Sequence, residues 1–170
     1  MAGSEGRKAS AGFPPVAQSD ARLLILGSLP GERSIAAQEY YAHPRNAFWR
    51  IMEELYGIGG DYEQRCRQLT EQRIALWDVL ASSVRPGSLD ADIAMDTAQA
   101  NDFRGFLAGH PEVTRVFFNG RKAEQLFRRF VADTLSDDAP ILVGLPSTSP
   151  AHAAMPFDKK LGIWRSMLVG

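Results

Sequence analysis

The 170-residue sequence has one cysteine, Cys66. A single thiol excludes an intramolecular disulfide and leaves Cys66 without a partner for a zinc site. Its neighbours Arg65 and Arg67 place it on a helix surface, where a lone cysteine is ordinarily incidental. No apolar run approaches the ~18 residues of a membrane-spanning helix. The opening stretch MAGSEGRKASAGFPPVAQSDA lacks the apolar segment of a secretory leader and is rich in Gly, Ser, Ala and Pro. It is expected to be a loose tail over residues 1–20, ahead of one domain over 21–170. A cytoplasmic, monomeric protein is the expectation. The chain also lacks an excess of positive charge, with a formal net charge of −1. Any contact with nucleic acid must therefore rest on local charge.

Several familiar chemical motifs are missing as well. There is no G-x-S-x-G nucleophile elbow and no P-loop, since GSLPGERS lacks the required lysine. Gly57, Gly59 and Gly60 follow a helical pattern rather than a strand, so they are no dinucleotide fingerprint. His43, His110 and His152 are not spaced as metal ligands. An enzyme built on this chain is expected to need neither metal nor organic cofactor.

What is present is a regular alternation. Residues 23–26 form a short, continuously apolar run, as a strand buried on both faces requires. IALWDVL (74–80), VTRVFFNG (113–120) and ILVGLP (141–146) are three more such runs. Between them lie helical patterns over 33–40, 46–56, 62–72, 98–109 and 123–135, and a last helix turns Leu161, Trp164 and Leu168 inward. Strands alternating with helices predict an α/β fold: a three-layer α/β/α sandwich around a four-stranded, mostly parallel sheet. Such sheets bind ligands beyond the carboxyl ends of their strands. GSLPG, Asp78, Asn119 and PSTSPAHA all fall at those ends. Any one of them merely ends a strand; the four together predict a site.

The stretch YYAHPRNAFW (40–49), with GSLPG (27–31) and LPSTSPAHA (145–153), resembles the uracil-DNA glycosylase superfamily, specifically its hypoxanthine (deoxyinosine) DNA glycosylase branch. The resemblance runs from about Ala21 to Leu168. YYAHPRNAFW is its most specific part, and GSLPG alone is weak. It implies hydrolysis of the bond between a deaminated base and deoxyribose in DNA, with hypoxanthine preferred over uracil or a mismatched base. The target base must first leave the duplex, which costs a few kcal/mol and less when it is mispaired. A catalytically weak nucleic-acid-binding module of the same fold is the alternative from another class.

The resemblance also implies residue roles. Many relatives carry Asp or Asn third in a G-x-[DN]-P motif; Leu29 stands there in this chain. In the hypoxanthine branch the catalytic asparagine corresponds to Asn46. An amide is no base, but Asn46 could orient the attacking water and stabilise an oxocarbenium-like transition state. Its alternative role is to cap the following helix, and both roles can coexist. Tyr41 is the expected stacking partner of the base, or else covers the sheet edge. Phe48 could reach the pocket or pack in the core, Trp49 is expected in the core, and Tyr40 lines the pocket or faces solvent. Ser28, Leu29 and Asn119 are expected in the base pocket. Asp78, a charge within an apolar run, could accept the ring N–H of hypoxanthine where adenine has a bare acceptor, or could form a salt bridge with Arg85. Ser147, Thr148, Ser149, Pro150 and His152 match the second motif and are expected to enter the minor groove and contact phosphates. Relatives that use a leaving-group histidine carry it before Pro-Ser, where this chain has Leu145. Arg45, Arg121, Lys122, Lys159 and Lys160 are the expected sources of local positive charge.

Overall fold

The computed structural model describes residues 9–85 and 89–170. In chain order its strands and helices are β1 (Ala9–Ala11), β2 (Leu23–Gly27), α1 (Glu32–Ala37), α2 (Phe48–Tyr56), α3 (Tyr62–Glu71), β3 (Ile74–Asp78), β4 (Leu80–Val84), β5 (Gln99–Ala100), α4 (Phe103–Gly109), β6 (Arg115–Asn119), α5 (Arg121–Phe130), β7 (Ile141–Leu145) and α6 (Phe157–Leu168). The four apolar runs pair as one sheet in the order β3-β2-β6-β7, parallel at every junction and flanked by helices. Every residue of β3 is buried, as are the last four of β2 and of β6. That is the burial a parallel strand covered on both faces demands. The helix ends follow local chemistry: Asp61 and Gln64 form a capping box at the start of α3, and Gly57 closes α2 in the left-handed region.

The register decides where a site can form. Gly27 pairs with Asp78 across β2 and β3, and Asn119 pairs with Leu145 across β6 and β7. The last residues of the four central strands therefore end along one edge.

Three local expectations change. The run 74–80 is not one strand: β3 stops at Asp78, although Val79 and Leu80 still donate to the carbonyls of Gly27 and Ser28. It continues as β4 in a second, antiparallel sheet of order β1-β4-β5. The tail is also attached from residue 9 onward. Ala9–Ala11 pairs with Val84–Ser82, Val16 bridges to Leu76, and the Phe13 carbonyl accepts from Trp77 Nε1 at 3.0 Å. Backbone pairing to a distant partner leaves no trace in composition, so a Gly/Ser/Ala-rich stretch reads as loose. Residues 1–8 of that tail lie outside the described residues. Finally, the expected helix over 98–109 begins only at Phe103, where Asp102 caps it through Gly105 N, and Gln99–Ala100 is strand. Among the described residues no helix is long and apolar enough to cross a membrane.

Candidate active site

A cleft of about 680 Å³ opens beyond the aligned strand ends. Residues 27–34 line it, with Tyr40, Tyr41, His43, Arg45, Asn46, Asp78, Asn119 and residues 147–152. The four strand-end loops expected to converge do so. A fifth contributor, residues 89–91 from the connection after β4, was not foreseen.

The floor is formed by Gly27, Tyr41 and Asp78. A Cβ on Gly27 would stand 2.5 Å from Asp78 Oδ1 and 3.0 Å from the Tyr41 hydroxyl. Only glycine lets those two polar groups close over the end of β2. Asp78 is 4% exposed, and its Oδ2 has no hydrogen-bond partner among the described residues. The foreseen salt bridge to Arg85 is not what forms. Arg85 Nη1 instead lies 3.7 Å from Asp90 Oδ1, and Arg85 donates to the carbonyls of Leu29 and Pro30. Burial, with the negative charge of Asp90 nearby, raises the Asp78 carboxyl to about 7 against an opposing pull from Arg85. Burial and then the Asp78 charge push the Tyr41 hydroxyl far above the ordinary phenol range. That hydroxyl faces Asn119 without completing a hydrogen bond.

Tyr41 is held under strain. Its φ of 57° lies in the left-handed region, which costs a bulky residue about 1–2 kcal/mol. Its neighbours are pinned on either side: Tyr40 N donates to the Tyr62 hydroxyl, Trp49 Nε1 to the Tyr40 carbonyl at 2.8 Å, and Ala42 N to Ser34 Oγ. Behind it lies Phe48, 4.3 Å away between ring centroids. Phe48 is fully buried and lines none of the cleft. The expectation that Phe48 contacts the base is therefore corrected: as the first residue of α2 it points into the core and backs Tyr41. Tyr40 is buried too, its hydroxyl donating to the Pro14 carbonyl at 3.0 Å.

Asn46 stands at the cleft wall just before α2, and its Oδ1 accepts from Phe48 N at 3.0 Å. This bond supports the first turn of α2 from the residue before its N-cap, Ala47. It fixes the amide at one lone pair and leaves the other lone pair and the Nδ2 protons for a ligand. His43 adds a ring to the same wall, its Nδ1 accepting from Arg45 N at 3.1 Å. In the neutral ring this leaves the proton on Nε2.

The lip is the loop 147–152. Asn119 grips it with two hydrogen bonds, donating to Thr148 Oγ1 and accepting from Thr148 N, each at 2.9 Å. The Thr148 carbonyl in turn accepts from Ala47 N, which ties the lip to the 40–49 stretch. Ser147 Oγ accepts from Ser149 N, and Ser149 Oγ from Ala151 N, at the start of the short 3-10 turn Pro150–His152. Thr148 is fully buried and Asn119 nearly so, which makes this pair a clamp for the loop.

Two contributors, Asp90 and Ser34, were missed, and Arg85 and Lys160 act otherwise than expected. Asp90 accepts from Ser28 Oγ, Arg85 braces the 29–30 carbonyls, and Ser34 anchors Ala42. Lys160, expected as a surface charge, is 5% exposed in α6 and donates from Nζ to the His152 carbonyl at 2.8 Å. Burial lowers its proton affinity. None of these has a local sequence signal, because each partner lies far away along the chain or belongs to the backbone. Among the described residues no group of His, Cys, Asp and Glu side chains is placed to hold a metal ion.

The profile of the Uracil DNA glycosylase superfamily matches residues 14–167. The chain belongs to the uracil DNA glycosylase superfamily. Its relatives include the Hypoxanthine DNA glycosylase of Methanosarcina acetivorans, 41% identical over 115 residues, or 66% of this chain and 72% of that one. The Hypoxanthine DNA glycosylase of Methanosarcina barkeri is 39% identical over 117 residues, with the same two shares of 66% and 72%. A Methanosarcina acetivorans protein, solved by solution NMR under the working name of a uracil DNA glycosylase, superposes with a TM-score of 0.75 at 33% identity. That match spans 95% of this chain and 99% of the other. The matched family and these relatives make this chain a DNA glycosylase, acting on DNA.

Proposed function

We propose that this DNA glycosylase removes hypoxanthine from deaminated DNA, as a monomer, through Asn46. The observation that carries the choice of base is the buried Asp78 carboxylate, whose Oδ2 has no partner on the cleft floor. A buried acceptor without a partner costs about 1–3 kcal/mol, and more when charged, unless a ligand satisfies it. Hypoxanthine brings a ring N–H to that point. Adenine brings a lone pair, which the carboxylate repels.

The remaining parts support one sequence of events. The flipped base lies against Tyr41, held rigid by its backbone and by Phe48. Its far edge meets Asp78, and Ser28, Leu29 and Asn119 border the same floor. The lip of Ser147, Thr148, Ser149, Pro150 and His152 receives the DNA backbone, with Arg45 and His43 on the facing wall. The bond between C1′ and the base nitrogen breaks with its electrons going to the base, so positive charge develops on the sugar. The Asn46 carbonyl dipole stabilises that charge, and its free lone pair accepts a proton of the attacking water. Water oxygen adds to C1′, and one water proton ends on the free base.

The test is alkaline strand cleavage on matched oligonucleotides carrying deoxyinosine, deoxyuridine or a G·T mismatch, with Asn46→Ala alongside. Expected is cleavage at deoxyinosine that falls by roughly 10²–10³ in the variant, the size of effect seen when one oriented polar group is removed from an active site. Cleavage chiefly at deoxyuridine would replace the substrate, and full activity in Asn46→Ala would remove the mechanism.

A further inference from the structure

We propose that Asp90 and Arg85, two residues outside the base pocket's floor, tune Asp78 so that the cleft selects bases bearing a ring N–H only while Asp78 is ionised. The inference rests on the hypoxanthine reading and deepens it: the substrate class is the lactam bases, and the selectivity has a built-in pH limit.

The geometry is a relay across 62 residues of sequence. Ser28, next to the floor glycine, donates its hydroxyl to Asp90 Oδ1. The same oxygen stands 3.7 Å from Arg85 Nη1, whose guanidinium is almost fully buried. Arg85 also donates to the carbonyls of Leu29 and Pro30. Asp90 is thus held at the cleft by two anchors; its negative charge favours the protonated Asp78, and the Arg85 cation favours the ionised form. Burial and Asp90 hold the Asp78 proton to about pH 7, and Arg85 opposes them. Among the described residues, the hydroxyls of Tyr40 and Tyr41, from the stretch before α2, also face Asp78. From the remaining sides come neutral amides: Asn119 at the end of β6, and Asn101, which donates to the Asp78 backbone carbonyl at 2.8 Å. Glu32, Arg33, His43, Arg45 and His152 line the wider cleft.

The chemistry then has two states. An ionised Asp78 is acceptor-only and takes the N–H of hypoxanthine. A protonated Asp78 has an O–H to give and pairs as well with the bare ring nitrogen of adenine. Acidification therefore weakens deoxyinosine recognition and narrows the margin over deoxyadenosine.

The experiment measures kcat/KM on single-stranded oligonucleotides carrying deoxyinosine or deoxyadenosine from pH 5.5 to 9. It compares wild type with Asp78→Asn and Asp90→Asn. In parallel, the Asp78 carboxyl is titrated by ¹³C NMR. The asparagine at 90 keeps an acceptor for Ser28 while removing the charge. Expected in the wild type is deoxyinosine activity rising tenfold per pH unit below about 7, then levelling, in step with the NMR midpoint. Asp90→Asn moves the limb and the midpoint together to lower pH. Asp78→Asn loses the limb altogether. A limb that persists in Asp78→Asn belongs to another group and overturns the inference. So does an Asp90→Asn midpoint equal to the wild type's. Absence of deoxyinosine cleavage at every pH, with the NMR midpoint still moving in Asp90→Asn, would refute the hypoxanthine reading and leave the electrostatic coupling standing.

Discussion

The floor and the lip of the cleft are built on opposite principles. At the floor, Asp78 Oδ2 and the Tyr41 hydroxyl are buried without partners among the described residues, and Tyr41 sits on a strained backbone. At the lip, the side chains of Thr148, Ser147 and Ser149 are all engaged within the protein, and Asn119 and Lys160 brace the loop from behind. Unsatisfied groups in a buried place mark where a ligand completes the structure. Satisfied groups in a partly exposed loop mark a rigid edge of fixed shape. On the proposed function, base identity is read at the floor and DNA is held in register at the lip.

Three substitutions test that contrast. Gly27→Ala has the largest expected effect. Its methyl would collide with Asp78 Oδ1 and crowd the Tyr41 hydroxyl, displacing the two reading groups. A loss on the order of 100-fold in kcat/KM at deoxyinosine is expected, as when a reacting geometry shifts by about 1 Å. A variant that folds and retains full activity would show that the floor tolerates movement.

Asp78→Asn works on stability and runs the other way. Folding raises this carboxyl from its ordinary value to about 7. The folded state thus holds a proton that the unfolded chain has already released, and stability falls as pH rises from about 4 through 7. From this one group the wild type loses about 2–3 kcal/mol between pH 5 and pH 8. Asp78→Asn removes that loss, so its stability gain over wild type grows with pH in denaturant titrations at the two pH values. Equal pH slopes would mean that Asp78 is ionised more comfortably than its surroundings indicate.

Thr148→Val is the smallest of the three and tests the lip. It removes the hydroxyl that accepts from Asn119 Nδ2 and leaves that buried donor without its partner, at a cost of about 1–2 kcal/mol in unfolding. DNA affinity is expected to fall for all sequences alike, with the preference for deoxyinosine unchanged. A change in base preference would blur the division between floor and lip.

Much of this architecture is legible in local pattern. The four runs LLIL, IALWDVL, VTRVFFNG and ILVGLP read as strands because burial on both faces requires apolar residues, and each contributes one strand of the central sheet. The helix after Asn46 reads from the spacing of Phe48, Ile51, Met52 and Leu55, and Asn46 does support its first turn. Phe48 was ambiguous for a physical reason: the same helical stripe that buries a ring also carries it close to the pocket beside Tyr41. Lys160 read as a surface charge because nothing local reveals that its ammonium reaches the carbonyl of His152.

By itself, then, the sequence determined the four strands of the central sheet, most of the helices, the edge where their loops gather and the residue types in those loops, since each follows from periodicity, turn chemistry or motif. Tertiary structure alone decided the second sheet, which joins Ala9–Ala11 to a strand more than 70 residues away, and the approach of Asp90 to Ser28 and Asp78. It also decided that Asp78 Oδ2 would be buried without a hydrogen-bond partner among the described residues, while Arg85 lies beside Asp90. The physical reason is range. Local pattern encodes which face of an element is apolar, whereas a charge takes its energy from whatever the fold places within a few ångströms, however distant in the chain.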